Sequence, residues 1–202
     1  MKVNCLVFLL FGMLIFQPAF SQENTLAIKK DIASFQKSLQ DEYSNPVISP
    51  LNETQRKHFP GIQFFPINME LIVPAKFVKT NSDEVFIMET SSHKQKKYYL
   101  YAKAVFNIKG KPYSLNVYQS LDLKNKKGFE NFLFIPFKDE TSGKETYGGG
   151  RYIDLEIPAS GDITINFNKA YQPYCAYTEG YNCPIPPAVN TLPIPIYAGV
   201  RE

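Results

Sequence analysis

The sequence predicts an all-β fold, an antiparallel β-barrel or sandwich of about eight to nine strands with one N-terminal amphipathic helix. Three observations carry this. Beyond the first third of the chain the apolar residues are mostly aromatic or β-branched and come in short runs; turn residues such as Asn81-Ser82-Asp83 and Lys109-Gly110-Lys111 separate those runs; and one segment alone, 24–42, has a helical period.

Taken in order, the chain opens with "MKVNCLVFLLFGMLIFQPAFSQEN": one charge at Lys2, an apolar run from Cys5 to Phe16, and the small-x-small pattern Ala19-Phe20-Ser21. That is the pattern of an export signal cleaved after Ser21. A membrane anchor needs an apolar span of about 20 residues, and Pro18 with the polar "SQEN" cuts this one short. Cys5 heads the apolar run rather than following it, so it is not placed as an acylated lipoprotein cysteine. The expected organisation is a signal peptide over 1–21, a helix and linker over 22–48, and one β domain over 49–202. The expected location is periplasmic or secreted, with no membrane span after cleavage.

In 24–42, Ile28, Ile32, Phe35 and Leu39 recur at steps of four, three and four, which predicts an amphipathic helix capped by Asn24 or Thr25. Asn45-Pro46 and Ser49-Pro50 end it, because proline disfavours helix in the residue before it. No second helix is expected. Strands are expected over 61–66, 70–79, 84–90, 97–108, 112–121, 132–137, 151–157, 163–168 and 192–198. "NFLFIPF" (131–137) is apolar almost throughout, so it reads as a central strand buried on both faces.

"RYIDLEI" alternates instead, with Arg151, Ile153, Leu155 and Ile157 on one face and Tyr152, Asp154 and Glu156 on the other. "ITINFN" alternates in the same way. If the two form a hairpin around 158–162, Leu155 pairs with Ile165, Asp154 lies opposite Asn166 and Tyr152 opposite Asn168. Arg151 then ends the core-facing row, where a guanidinium must meet a carboxylate or a bound anion.

The formal net charge of +3 and the short lysine runs, Lys94, Lys96, Lys97 and Lys124, Lys126, Lys127, do not make a nucleic-acid surface; lysines so placed protect hairpin ends and edge strands. Removing the signal leaves two cysteines, Cys175 and Cys183. In an oxidising compartment they are expected to form a disulfide, worth about 2.5 kcal/mol for so short a loop. A zinc site would need two more ligands, and the only histidines, His58 and His93, lie in unrelated segments. Neither a metal nor a cofactor is expected.

The loop "KDETSGKETYGGG" (138–150) gathers Asp139, Glu140, Thr141, Ser142, Glu145 and Tyr147 on a glycine-rich backbone. It lacks the spacing of a phosphate-binding loop or a calcium loop. There is no G-x-S-x-G nucleophile motif. A hydrolase using two of Asp139, Glu145 and Asp154 stays open, as does a structural hairpin in which Arg151 pairs with Asp139 or Glu145. Cys175 would be a nucleophile only as a free thiol. The tail, rich in tyrosine and proline, reads either as a rigid strap stapled by the disulfide or as an aromatic rim for a small ligand.

The blocks "FKDETSGKETYGGGRYIDLEIP", "INFNKAYQPYCAYTEGYNCPIPPAVNTLPIPIYAGVRE", "SPLNETQRKHFPGIQFFPI", "ETSSHKQKKYYLYAKAVFNIKGKPYSLNVYQS" and "ENFLFIPFKD" resemble the DUF1684 family, a group of bacterial proteins of unknown function. The resemblance covers 49–202. Its Gly-Arg-Tyr element falls on Gly150, Arg151 and Tyr152, its Asn-x-Ala-Tyr element on Asn168, Ala170 and Tyr171, and its Cys-Pro-x-Pro-Pro element on Cys183, Pro184, Pro186 and Pro187. The chain departs from the family pattern at Leu71-Ile72 and at Ala102. The resemblance implies a domain boundary and characteristic residues, not an activity.

The leading expectation is therefore an exported, non-catalytic β domain that binds a small polar or anionic ligand. Arg151 is its anchor, Tyr147, Tyr152, Asn168 and Tyr171 shape the site, and Asp139 and Glu145 flank it. The alternatives are an envelope hydrolase using acids of the 138–150 loop, and a structural or partner-binding protein without a pocket. No motif specifies a protein partner.

Overall fold

A computed structural model describes residues 19–80, 84–159 and 161–202. The expected export signal, apart from its last three residues, and the turn Asn81-Ser82-Asp83 lie outside the described residues.

The predicted helix is α1 (Ala19–Ser44). Its buried stripe is the periodic one: Ile32 and Tyr43 are fully buried, with Phe35 and Leu39 half-buried between them and Ile28 half-buried one turn before. It begins earlier than the expected caps Asn24 and Thr25, because no proline or glycine interrupts 19–24. A second helix, α2 (Glu53–His58), was not expected. Its start is a capping box: Asn52 Oδ1 accepts from Gln55 N, and Gln55 Oε1 accepts from Asn52 N. Among the described residues no helix is long and apolar enough to cross a membrane.

The described strands are β1 (Gln63–Phe64), β2 (Ile72–Lys79), β3 (Val85–Met88), β4 (Lys96–Ile108), β5 (Lys111–Ser120), β6 (Phe132–Phe137), β7 (Arg151–Glu156), β8 (Asp162–Asn166) and β9 (Val200–Arg201). One seven-stranded antiparallel sheet runs β7-β6-β5-β4-β2-β8, with β3 also paired to β4; β1 and β9 form a small second sheet. As expected, β6 is buried on both faces and paired on both edges, although it lies second from the end of the sheet rather than at its centre. The strand expected over 192–198 does not form. Pro193 and Pro195 remove two ladder donors there, and the last strand falls at Val200–Arg201 instead.

The expected β7–β8 hairpin is corrected. β7 pairs with β6, setting Leu155 opposite Leu133, Asp154 opposite Phe134 and Tyr152 opposite Pro136. β8 pairs with β2, setting Asn166 opposite Ile72. The apolar β6 needs a partner on each edge, and β7 supplies the second. β7 and β8 stand at opposite ends of the hydrogen-bonded path, yet only 157–161 joins them, a span of at most about 20 Å. The sheet must therefore curl through about half a barrel. Leu155 and Ile165 still face one interior, from its two edges.

Two cores result. The larger fills the concave face of the sheet with Val73, Ala104, Phe106, Leu115, Val117, Leu133, Ile135, Phe137, Ile153 and Phe167, closed by Leu192, Ile196 and Ala198 of the tail. The smaller lies on the other face: Met88, Tyr98, Tyr118, Phe134 and Tyr152. A register shift between Leu100 and Ala102 separates them along β4. Before it, Tyr98 and Leu100 face the smaller core; after it, Ala102 and Ala104 face the larger.

Candidate functional site

The glycine-rich loop and Arg151 form a clasp inside the domain. Arg151 is 1% exposed. Its Nη2 donates to Asp139 Oδ2 at 2.7 Å and to Ile196 O at 2.9 Å, while Nη1 donates to Val200 O at 3.2 Å and to Ala198 O. The ring of Phe137 lies 5.3 Å from the guanidinium carbon. Burial pushes Arg151 down from its ordinary value, and the Asp139 carboxylate acts against that shift. Asp139 also accepts from the backbone N and hydroxyl of Thr141. The guanidinium thus binds the tail to the sheet, and no face of it opens to solvent.

The other expected site residues separate. Glu145 is exposed on the loop. Tyr147 packs its ring over Gly149, where a Cβ would lie 2.1 Å from it. Asn168 is buried and bridges turns: its Nδ2 donates to Asn68 O and Asn166 Oδ1, and its Oδ1 accepts from Asn68 N. Tyr152 and Tyr171 alone of that set line a cleft, and they meet edge-to-face at 5.8 Å.

That cleft lies on the opposite face of β7 from Arg151, with a volume of about 490 Å³. Four elements build it. Strand alternation turns Tyr152 and Asp154 of β7 away from the large core, and Lys96 opens β4 beside them. Helix α1 presents Phe35, Ser38, Leu39 and Glu42. The tail supplies Tyr171, Tyr174 and 181–184. It is anchored by the exchange of backbone bonds between Tyr152 and Tyr171, 2.8 and 3.0 Å, and by the disulfide Cys175–Cys183.

Tyrosine hydroxyls tie these walls together. Tyr171 donates to Asp154 Oδ1 at 2.8 Å, Tyr174 to Glu42 Oε1, and Tyr152 to the Pro184 carbonyl. Tyr181 donates to the Pro50 carbonyl at 3.4 Å. Asp154 is exposed by accessible surface, and the crowding of protein atoms around it in the cleft still reduces its hydration. This raises its pKa from 3.8 to about 6, against the opposing pull of the Tyr171 hydrogen bond. Half-buried Lys96 is lowered by desolvation, with Asp122 acting the other way. Burial raises Tyr152, Tyr171 and Tyr174, so their hydroxyls are protonated at neutral pH. Tyr174 and Tyr181 belong to the aromatic rim that the tail offered in sequence, whereas Glu42 and Lys96 were not singled out as site residues, because only the fold brings α1 and β4 to the tail.

Fold and cleft together define a curled antiparallel β domain carrying a tyrosine-walled pocket between its helix and its tail. The chain belongs to the family described as protein of unknown function (DUF1684), whose model matches residues 57–201. It is similar to the solution NMR structure of an uncharacterized protein from Haloarcula marismortui, at 30% identity and a TM-score of 0.69, covering 90% of this chain and 97% of that one. No curated protein matches.

Proposed function

We propose that this chain is an exported small-molecule-binding domain whose site is the cleft between α1, β7 and the tail. One observation carries the reading. Five tyrosines, two carboxylates and one ammonium group, drawn from four elements of the fold, line a cleft of about 490 Å³. Ligand sites are concave, mainly apolar and carry a few convergent polar groups, and this cleft has all three properties. The ligand is small and polar, and its site is the face of β7 behind Arg151. Export is supported by the N-terminal signal pattern and by the disulfide, which needs an oxidising compartment.

The test is a fragment screen of the isotope-labelled protein by NMR. Binders should shift the amides of Tyr152, Asp154 and Tyr171 as a group, and Tyr171→Phe should weaken them. Shifts that cluster elsewhere, or no binder at all, would remove the reading.

A second reading, an envelope hydrolase, draws on Asp154, a carboxylate raised to about 6 that shares the cleft with Glu42. That is a pairing suited to general acid–base work. The loop acids Asp139, Glu140 and Glu145 take no part, since none of them lines the cleft. Turnover of chromogenic glycosides or esters that disappears in Asp154→Asn would favour this reading over simple binding.

A further inference from the structure

We infer that the cleft takes a small organic ammonium compound, an inference that rests on its being a binding site. The first reason is the inventory of donors. Four of the lining tyrosines have already committed their hydroxyl proton to a protein acceptor: Tyr152 to Pro184, Tyr171 to Asp154, Tyr174 to Glu42 and Tyr181 to Pro50. They offer an incoming ligand ring faces and oxygen lone pairs but no proton. An anion needs several donors, and here Lys96 is the one charged donor in the lining, beside the neutral donors Ser38 and Asn182.

The second reason is charge. Glu42 and Asp154 face one ammonium, Lys96, so the lining is acidic overall at neutral pH. In each carboxylate one oxygen takes a phenol hydrogen bond, and the other takes none among the described residues. Both carboxylates are thus held in place by tyrosines while keeping an oxygen for a ligand. The third reason is the rings. Tyr152 with Tyr171, and Tyr174 with Tyr181 at 4.9 Å, are locked edge-to-face. Fixed aromatic walls around an acidic floor suit an alkylated ammonium through cation–π attraction. A bare metal ion would want a cluster of three or more ligating side chains, and none exists among the described residues. Lys96 leaves room at its end of the cleft for an acceptor on the ligand, such as a hydroxyl or carboxylate.

The experiment compares charged and neutral probes of equal shape by NMR titration: choline against its neutral carbon isostere, and benzylamine against benzyl alcohol, with glucose and acetate alongside. The cations should shift the cleft residues and bind about tenfold or more tightly than their neutral partners. Lys96→Met should tighten choline, since it removes a like charge. The double variant Glu42→Gln/Asp154→Asn, with its fold checked by thermal unfolding, should erase the preference for charge. Equal binding of charged and neutral probes, or a preference for glucose or acetate, would overturn the inference and leave the cleft as a binding site. If no probe moved a cleft residue, both readings would fall.

Discussion

Arg151 carries a full charge into the domain and surrounds it with acceptors: one carboxylate and three tail carbonyls. Removing one member of a buried ion pair typically costs about 3–5 kcal/mol, because the partner charge is left unpaired. Arg151→Met should therefore destabilise the domain by that amount in urea unfolding. Adding Asp139→Leu should recover only part of the loss, because the carbonyls of Ile196, Ala198 and Val200 stay unsatisfied. A loss below about 1 kcal/mol in the single variant would show that the clasp is not structural. Asp154 gives a prediction of the opposite character. Its carboxyl pKa is higher folded than unfolded, rising from 3.8 to about 6, so within that window the folded chain holds a proton that the unfolded chain has lost. Stability contributed by this group is complete below the lower value and is lost as pH rises through the upper one. Asp154→Asn should flatten the curve across that interval and be more stable than wild type at neutral pH. Urea midpoints measured across the range check this, and an unchanged slope would place the titration elsewhere. A carboxyl that costs stability at neutral pH while lining a cleft is what a binding role would retain.

At the scale of elements, the loop before β7 depends on its last glycine. Gly150 has φ +91, and a Cβ there would lie 2.7 Å from both the Phe137 carbonyl oxygen and Pro186. Gly150→Ala should cost at least about 1–2 kcal/mol from backbone strain alone, whereas Gly161→Ala, in open space, should be close to neutral. Equal losses in a thermal melt would contradict this. The same loop shows what sequence can and cannot convey. Alternation placed Arg151 on the core face, because period two is a local property of the strand. The pairing of β7 was not legible, since Leu155 can match Leu133 or Ile165 equally well on hydrophobicity, and the curl of the sheet decides between them. The stripe of α1 was readable from its spacing, and the capping box Asn52-x-x-Gln55 carried a signal for α2 that a six-residue helix makes easy to miss. Tyr152 and Tyr171 stood out because they belong to the Gly150-Arg151-Tyr152 and Asn168-x-Ala170-Tyr171 elements. Glu42 and Lys96 did not, because an acid on a helix face and a lysine opening a strand are ordinary surface residues until the fold sets them across one cleft.

The whole molecule is a curled sheet closed by its own C-terminal tail, and two of that tail's fastenings lie on opposite faces of the sheet. One is the Arg151 clasp, which grips 196–200 on the concave side. The other is the Cys175–Cys183 disulfide, which shapes 174–184 over the opposite face, with Ser91 Oγ 3.1 Å from Cys175 Sγ and the backbone of Ser91 donating to Cys183 O. Only the second borders the cleft. Because the bond closes a short loop, losing it should cost about 2.5 kcal/mol of global stability. The sheet ladders and the clasp do not pass through it, so the structural effect should be local. In the double variant Cys175→Ser/Cys183→Ser, hydrogen exchange should quicken over 174–184 and at Tyr152 and Tyr171, while β4, β5 and β6 stay as protected as the global stability allows. Affinity for any cleft ligand should fall in step with that loosening, since Tyr174 and Tyr181 would no longer be fixed against Glu42 and Pro50. Uniformly faster exchange across the sheet would mean instead that the bond holds the fold as a whole and that the cleft wall has no independence. The local outcome would tie binding to an oxidising compartment: only there would the tail complete the site it helps to build.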